Sequence, residues 1–189
     1  MRSFNAIAVV SVLATYVSAL PTLSFGFGAG NGCLTKHTAH ELVNNFIKLT
    51  NGDAFNEDLA RALITEDVVD TSGSVASIIN SGNTGPVPLL GPTLANRTEF
   101  IAANSAQATT PYQPLNIYWT CDVVTFRFVI PFEPQPVLGI TILETVPAPK
   151  GCRFPFQIKQ VFGELNSFAF LVDLGVYEPI DPPPPPPQK

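Results

Sequence analysis

The spacing of apolar residues changes partway along the chain. Ala39, Leu42, Val43, Phe46 and Ile47 recur three and four apart, which is the period of one helix face. Thr38 and Glu41 stand ahead of them as a capping box, and Asn51-Gly52 ends the pattern. Leu59, Ala60, Leu63 and Ile64 predict a shorter second helix, and residues 99–103 predict a third that stops before Pro111. Between these two, Val68 and Val69 in "EDVVDTSGS" predict a short strand. Thr71 to Ser74 read first as a turn that donates hydrogen bonds to Asp70, and second as the polar lip of a pocket.

From residue 115 onward the period shortens to two. Residues 115–119 and 123–130 flank a tight turn at Cys121-Asp122 and predict a hairpin. Residues 137–146, 156–162 and 168–174 predict three more strands. In "VTFRFVI", alternation puts Val124, Phe126, Phe128 and Ile130 on one face and Arg127 on the other. Helices first and antiparallel strands after is an α+β arrangement.

Both ends depart from this pattern. Residues 1–19 carry Arg2, an apolar run and the small-residue spacing Val17-Ser18-Ala19, the features of a secretory signal peptide. Residues 20–32 form a glycine-rich leader, and residues 179–189 a proline-rich tail with six consecutive prolines. One domain is left, residues 33–178, long enough to bury a core. The expected location is secreted and extracellular, and no later stretch is apolar and long enough for a bilayer.

Charge and motifs narrow the function classes. Ten Lys and Arg against fifteen Asp and Glu give a net charge of −5. With no basic cluster, nucleic acid and anionic membrane are not expected partners. His37, His40 and Glu41 spell H-x-x-H-E, which matches neither zinc-protease order, so no metal site is expected. The leader glycines follow no strand and make no dinucleotide loop, and no cofactor is expected. Asn96-Arg97-Thr98 is a glycosylation sequon whose alternative reading is a helix cap at Asn96. Three cysteines, Cys33, Cys121 and Cys152, allow one bond and leave one thiol.

The stretches "HELVNNFIKLT", "ALITEDVVDTSGS", "NRTEFIAAN", "CDVVTFRF" and "QIKQVFGELNSFAFLVDLG" resemble secreted fungal proteins of the nuclear transport factor 2-like superfamily, relatives of the SnoaL-like polyketide cyclases. The resemblance runs over roughly residues 33–175. It implies a cone-shaped, strongly curved antiparallel sheet packed on the N-terminal helices, with a pocket opening inside. Catalytic relatives often carry an aspartate where this chain has Asn166, and His or Asp where it has Thr71, so titratable groups are missing at both places.

The remaining candidates for acid–base chemistry are Asp70 and Glu164 as bases and Tyr118 as acid. Pocket candidates are Arg127, Phe126, Phe128, Phe162 and Asn166. Arg127 is expected to pair with Glu144 or Glu164, or to hold a ligand carboxylate. The turn at Cys121 and the loop holding Cys152 fall at the same end of such a sheet. The expected disulfide is therefore Cys121–Cys152, with Cys33 as the alternative mate of Cys121. Three functions follow, in order: binding of a small apolar ligand, an extracellular interaction or homodimer module, and a cofactor-free cyclase, isomerase or dehydratase.

Overall fold

The first helix is capped by Thr35, three residues before the expected capping box at Thr38. In the computed structural model, which describes residues 32–83 and 85–178, helix α1 spans Lys36–Leu49. The Thr35 hydroxyl accepts the Thr38 N–H at 3.2 Å and the Thr38 hydroxyl accepts the Thr35 N–H at 2.8 Å. The box is thus Thr35 with Thr38 instead of Thr38 with Glu41, because a threonine at the third helical position can reach back as a glutamate would. The signal peptide, all but the last residue of the glycine-rich leader and the proline-rich tail lie outside the described residues.

Each following helix also begins at an asparagine or serine. Helix α2 spans Glu57–Leu63 and is capped by Asn56. Strand β1, Ile64–Thr71, follows without a loop. Ser72 then caps a short helix α3, Gly73–Ile79, where the residues from Thr71 to Ser74 predict a turn. Helix α4, Arg97–Ser105, starts at Asn96, whose side-chain oxygen accepts the Glu99 N–H at 2.9 Å. The Glu99 carboxylate returns to the Ala95 N–H at 2.8 Å, so each side chain satisfies an otherwise orphaned donor.

The sheet is made by β1 with β2 (Gln113–Trp119), β3 (Val123–Ile130), β4 (Val137–Pro147) and β5 (Phe156–Leu165), in the order β1-β5-β4-β3-β2. Four strands pair antiparallel, and β1 joins the edge parallel to β5. Register shifts fall at Ile64/Val69, Pro114/Asn116 and Glu144/Thr145. Such bulges add local twist and bend a strand, which lets five strands curve around the helices. Residues 168–174 are not a closing strand. Residues 168–173 lie in helix α5, Ser167–Asp173, and Leu174 is its C-cap. Asn166 donates the last sheet bond to the Leu138 carbonyl, then its side chain accepts the Ala169 N–H at 3.1 Å and starts the helix. Ala169 and Val172, three apart, are buried as a helix would bury them.

The inner face of the sheet and the helices share one core. Phe126 and Phe128 project inward from β3 as alternation predicts. The Phe46 ring of α1 lies 6.2 Å from Phe126 and 6.3 Å from Phe100 of α4. Tyr112 meets Phe128 edge-on at 4.9 Å. These spacings are favourable for aromatic pairs. Gly139 on β4 lies opposite Phe128, and a Cβ there would overlap the Phe128 ring. The missing side chain is what lets that ring approach β4 so closely.

Candidate functional site

The sequence candidates separate onto two faces of the sheet. Phe126 and Phe128 belong to the packed inner face, while Arg127, Tyr118, Phe162 and Glu164 occupy the outer one. The five pocket candidates are therefore not brought together. Asn166 is the α5 cap. On the inner side, a small opening of about 10 Å³ beside Leu42 and Phe156 has room for about one water.

Asp70 is the candidate that faces inward. Its backbone is fixed at the end of β1: its N–H donates to the Leu94 carbonyl at 2.8 Å, and its carbonyl accepts the Thr93 N–H at 2.7 Å. Its carboxylate accepts no hydrogen bond among the described residues; the turn after it does not supply one, contrary to the expected pattern. Burial pushes this carboxyl up to about 7, since a desolvated carboxylate is disfavoured as the charged form. Tyr112 is pushed up to about 12, first by burial and then by the negative charge of Asp70. Sequence reading missed Tyr112. It lies just ahead of the edge strand β2, 42 positions from Asp70 along the chain, and only the fold brings the two groups close enough to interact.

Glu164 and Tyr118 do not join Asp70. The Glu164 carboxylate accepts the Gly73 N–H and the Ser74 N–H, both at 2.9 Å, so it caps α3 from β5. The Ser74 hydroxyl accepts the Leu165 N–H at 3.0 Å and lies 3.1 Å from the Ser72 hydroxyl. Thr93 accepts the Ser72 N–H at 3.0 Å. The small polar run after β1 is therefore a structural lattice that ties β1, α3, β5 and residue 93 together. Tyr118, on β2, is 60% exposed on the outer face.

Arg127 stands on that outer face without an acid. It forms no salt bridge with Glu144 or Glu164 among the described residues, and its guanidinium donates one long bond of 3.4 Å to Asn116. Around it Leu138, Ile140 and Phe162 are exposed. Arg127, Leu138, Gly139, Ile140, Glu164 and Leu165 line an open groove of about 370 Å³. Cross-strand register explains the grouping: Arg127 is opposite Ile140, and Ile140 is opposite Glu164.

The disulfide is Cys33–Cys121, and Cys152 is a free, exposed thiol. This corrects the expected Cys121–Cys152 pair. The Cys152 loop does lie at the same end of the sheet, but the segment before α1 reaches the hairpin turn directly, where Leu34 N–H donates to the Cys121 carbonyl at 2.8 Å. Among the described residues no group of three His, Cys, Asp or Glu is placed to hold a metal ion. No helix there is long and apolar enough to cross a membrane.

Comparison with known proteins bears on the fold. Solved structures similar to this chain include an NTF2-like protein of unknown function from Cytophaga hutchinsonii, 13% identical, with a TM-score of 0.47 over 70% of this chain and 94% of that one. A bacterial protein with a cystatin-like fold from Silicibacter pomeroyi is 14% identical, with a TM-score of 0.47 over 73% and 82%. A protein provisionally named a ketosteroid isomerase, from Kribbella flavida, is 15% identical, with a TM-score of 0.46 over 78% and 84%. No curated protein matches the sequence. A family model described as the NTF2-like domain matches residues 32–177, the whole of the helix-and-sheet unit above, and the chain belongs to that family.

Proposed function

We propose that the protein is a secreted, non-catalytic binding module that pairs with a second copy of itself through the outer face of its sheet. The observation that carries this reading is Arg127, a cation without an acidic partner among the described residues, set among exposed Leu138, Ile140, Phe162 and Tyr118. A contiguous apolar patch with a polar rim marks an interaction surface, and Arg and Tyr are the side chains that concentrate binding energy at such surfaces. A two-fold interface brings the same patch of each copy together. Glu144, exposed on the same face, then supplies the second copy's acid for Arg127.

Sedimentation velocity over a range of concentrations tests this. The expected result is a monomer–dimer equilibrium that Ile140→Lys abolishes. A mass of one chain at every concentration overturns it.

Asp70 favours a second reading, a small apolar ligand held or turned over at the inner end of β1. A carboxyl near 7 with no hydrogen-bond partner among the described residues is suited to accept a proton. Native mass spectrometry of the secreted protein decides it. A retained small molecule that Asp70→Asn loses supports the ligand; a mass of chain and any glycan alone removes it.

A further inference from the structure

Asn96-Arg97-Thr98 is both a sequon and the start of α4. The helix cap accounts for Asn96 and Glu99. Asn96 Oδ1 accepts the Glu99 N–H at 2.9 Å, and Asn96 Nδ2 donates to Glu99 Oε1 at 2.9 Å. Arg97 has bonds of its own, to the Arg61 and Ile64 carbonyls at 3.3 and 3.1 Å and to the Glu66 carboxylate at 3.0 Å. Thr98 is left over. It is exposed, and its hydroxyl makes no hydrogen bond among the described residues. A cap asks nothing of the second helical position, and threonine is a weak helix former there. A hydroxyl two residues after an asparagine, with a residue other than proline between, is what the sequon requires.

The place also has room for a bulky group. Residues 93–97 run along the free edge of β1: Leu94 bridges Asp70, and Arg97 reaches the carbonyl of Ile64, the first residue of the strand. Ala95, Thr98 and Glu99 around Asn96 are exposed. Bulk at this edge hinders pairing with a foreign strand. We infer that Asn96 carries an N-linked oligosaccharide and that the linked side chain still caps α4.

The two roles are chemically compatible. In the transfer, Asn96 Nδ2 attacks the anomeric carbon of a polyprenyl-diphosphate-linked oligosaccharide. The C–N bond forms and the C–O bond to the diphosphate breaks. The polyprenyl diphosphate leaves with the electron pair, and one amide proton passes to a base of the transferase. Oδ1 stays a carbonyl oxygen and keeps the Glu99 N–H; the amide hydrogen that remains on Nδ2 keeps the Glu99 carboxylate. In the folded chain Nδ2 is already engaged by Glu99, so the sugar is attached before α4 closes on it. The inference rests on the secretion in the reading above and on none of the pairing. Asn96 sits beyond the β1 edge, and β5 and β4 separate that edge from Arg127 on β3.

Expression of the full chain in a eukaryotic secreting host, followed by peptide mapping of the product, tests it. The expected result is an oligosaccharide on the peptide that holds Asn96, removed by peptide N-glycosidase with conversion of the linked asparagine to aspartate. Thr98→Ala should lose it completely. Thermal unfolding then reads the cap. The wild-type chain trimmed to its first sugar should unfold at the same midpoint as the same chain made in a bacterial periplasm, where no such sugar is added. Asn96→Gln from the periplasm should unfold about 2–4 °C lower. A secreted chain that is bare at Asn96 overturns the inference and leaves the secretion standing. A chain retained in the cell without sugar overturns both. A trimmed chain that unfolds as low as Asn96→Gln overturns the shared role, because the linkage then breaks the cap.

Discussion

The Glu164 carboxylate accepts the backbone N–H groups of both Gly73 and Ser74 at 2.9 Å, so a residue of β5 caps a helix whose first residues lie 91 and 90 positions earlier in the chain. These are charge-assisted bonds to donors that the short helix α3 cannot satisfy itself. Glu164→Ala is expected to destabilise the fold by about 1–2 kcal/mol. Urea denaturation measures it. A variant as stable as the wild type would mean that water replaces the carboxylate without cost.

Asp70 makes stability depend on pH in the opposite sense to a salt-bridged carboxylate. Its carboxyl is near 7 in the folded chain against an ordinary 3.8. Between these values the folded chain holds a proton that the unfolded chain has released, so stability falls as pH rises from about 4 to 7. Asp70→Asn stays neutral throughout and removes that slope. Relative to the wild type, the variant should gain about 1–3 kcal/mol between pH 4 and pH 7, less than the full shift allows because the side chain is still partly open to water. Thermal unfolding at pH 4, 5.5 and 7 checks this. Parallel stability curves for the two proteins would show that Asp70 titrates in the ordinary carboxylate range.

Local pattern carried the elements whose signals are local. The apolar period through Ala39, Leu42, Val43 and Phe46 and the alternation through Val124, Phe126 and Phe128 reappear in α1 and β3. The errors arise where distant residues decide. "SFAFLVD" has strand composition, and Asn166 turns it into a helix after the last bond to Leu138. "TSGS" has turn composition, and Glu164 caps it into a helix. The Cys33 pairing depends on how the residues just ahead of α1 meet the β2–β3 turn, which no period records. The candidate site was the least legible part. Alternation placed Arg127 opposite the phenylalanines in the sheet, and yet the unfilled pocket expected between them would have required both on one face.

The disulfide gives an independent check on the N-terminal segment. Cys33 and Cys121 are 88 residues apart, and closing so long a loop limits the unfolded chain strongly in the chain-entropy account. Cys33→Ser and Cys121→Ser should each cost about 2–5 kcal/mol. Cys152→Ser, at an exposed free thiol, should change stability by less than about 0.5 kcal/mol. Equal losses at Cys121 and Cys152, with none at Cys33, would restore the pairing first expected from the strand order.

Gly139 sets how closely Phe128 can approach the sheet, and that contact can be isolated. A methyl group at residue 139 would meet the Phe128 ring and the Glu164 carbonyl. The ring is buried and cannot retreat, because Tyr112 lies 4.9 Å from it. Strand propensity alone favours alanine over glycine, so the two effects have opposite signs. Overpacking should win, with Gly139→Ala destabilising by about 1–3 kcal/mol. Phe128→Leu removes the part of the ring that the methyl would strike, at the cost of a smaller core. If the clash is with that ring, the double variant is more stable than the sum of the single effects by about 1 kcal/mol. Chemical denaturation of the four proteins gives the coupling. Strict additivity would place the strain at the Glu164 backbone instead, and the neighbouring β4–β5 register would then be the part of the sheet that alanine disturbs.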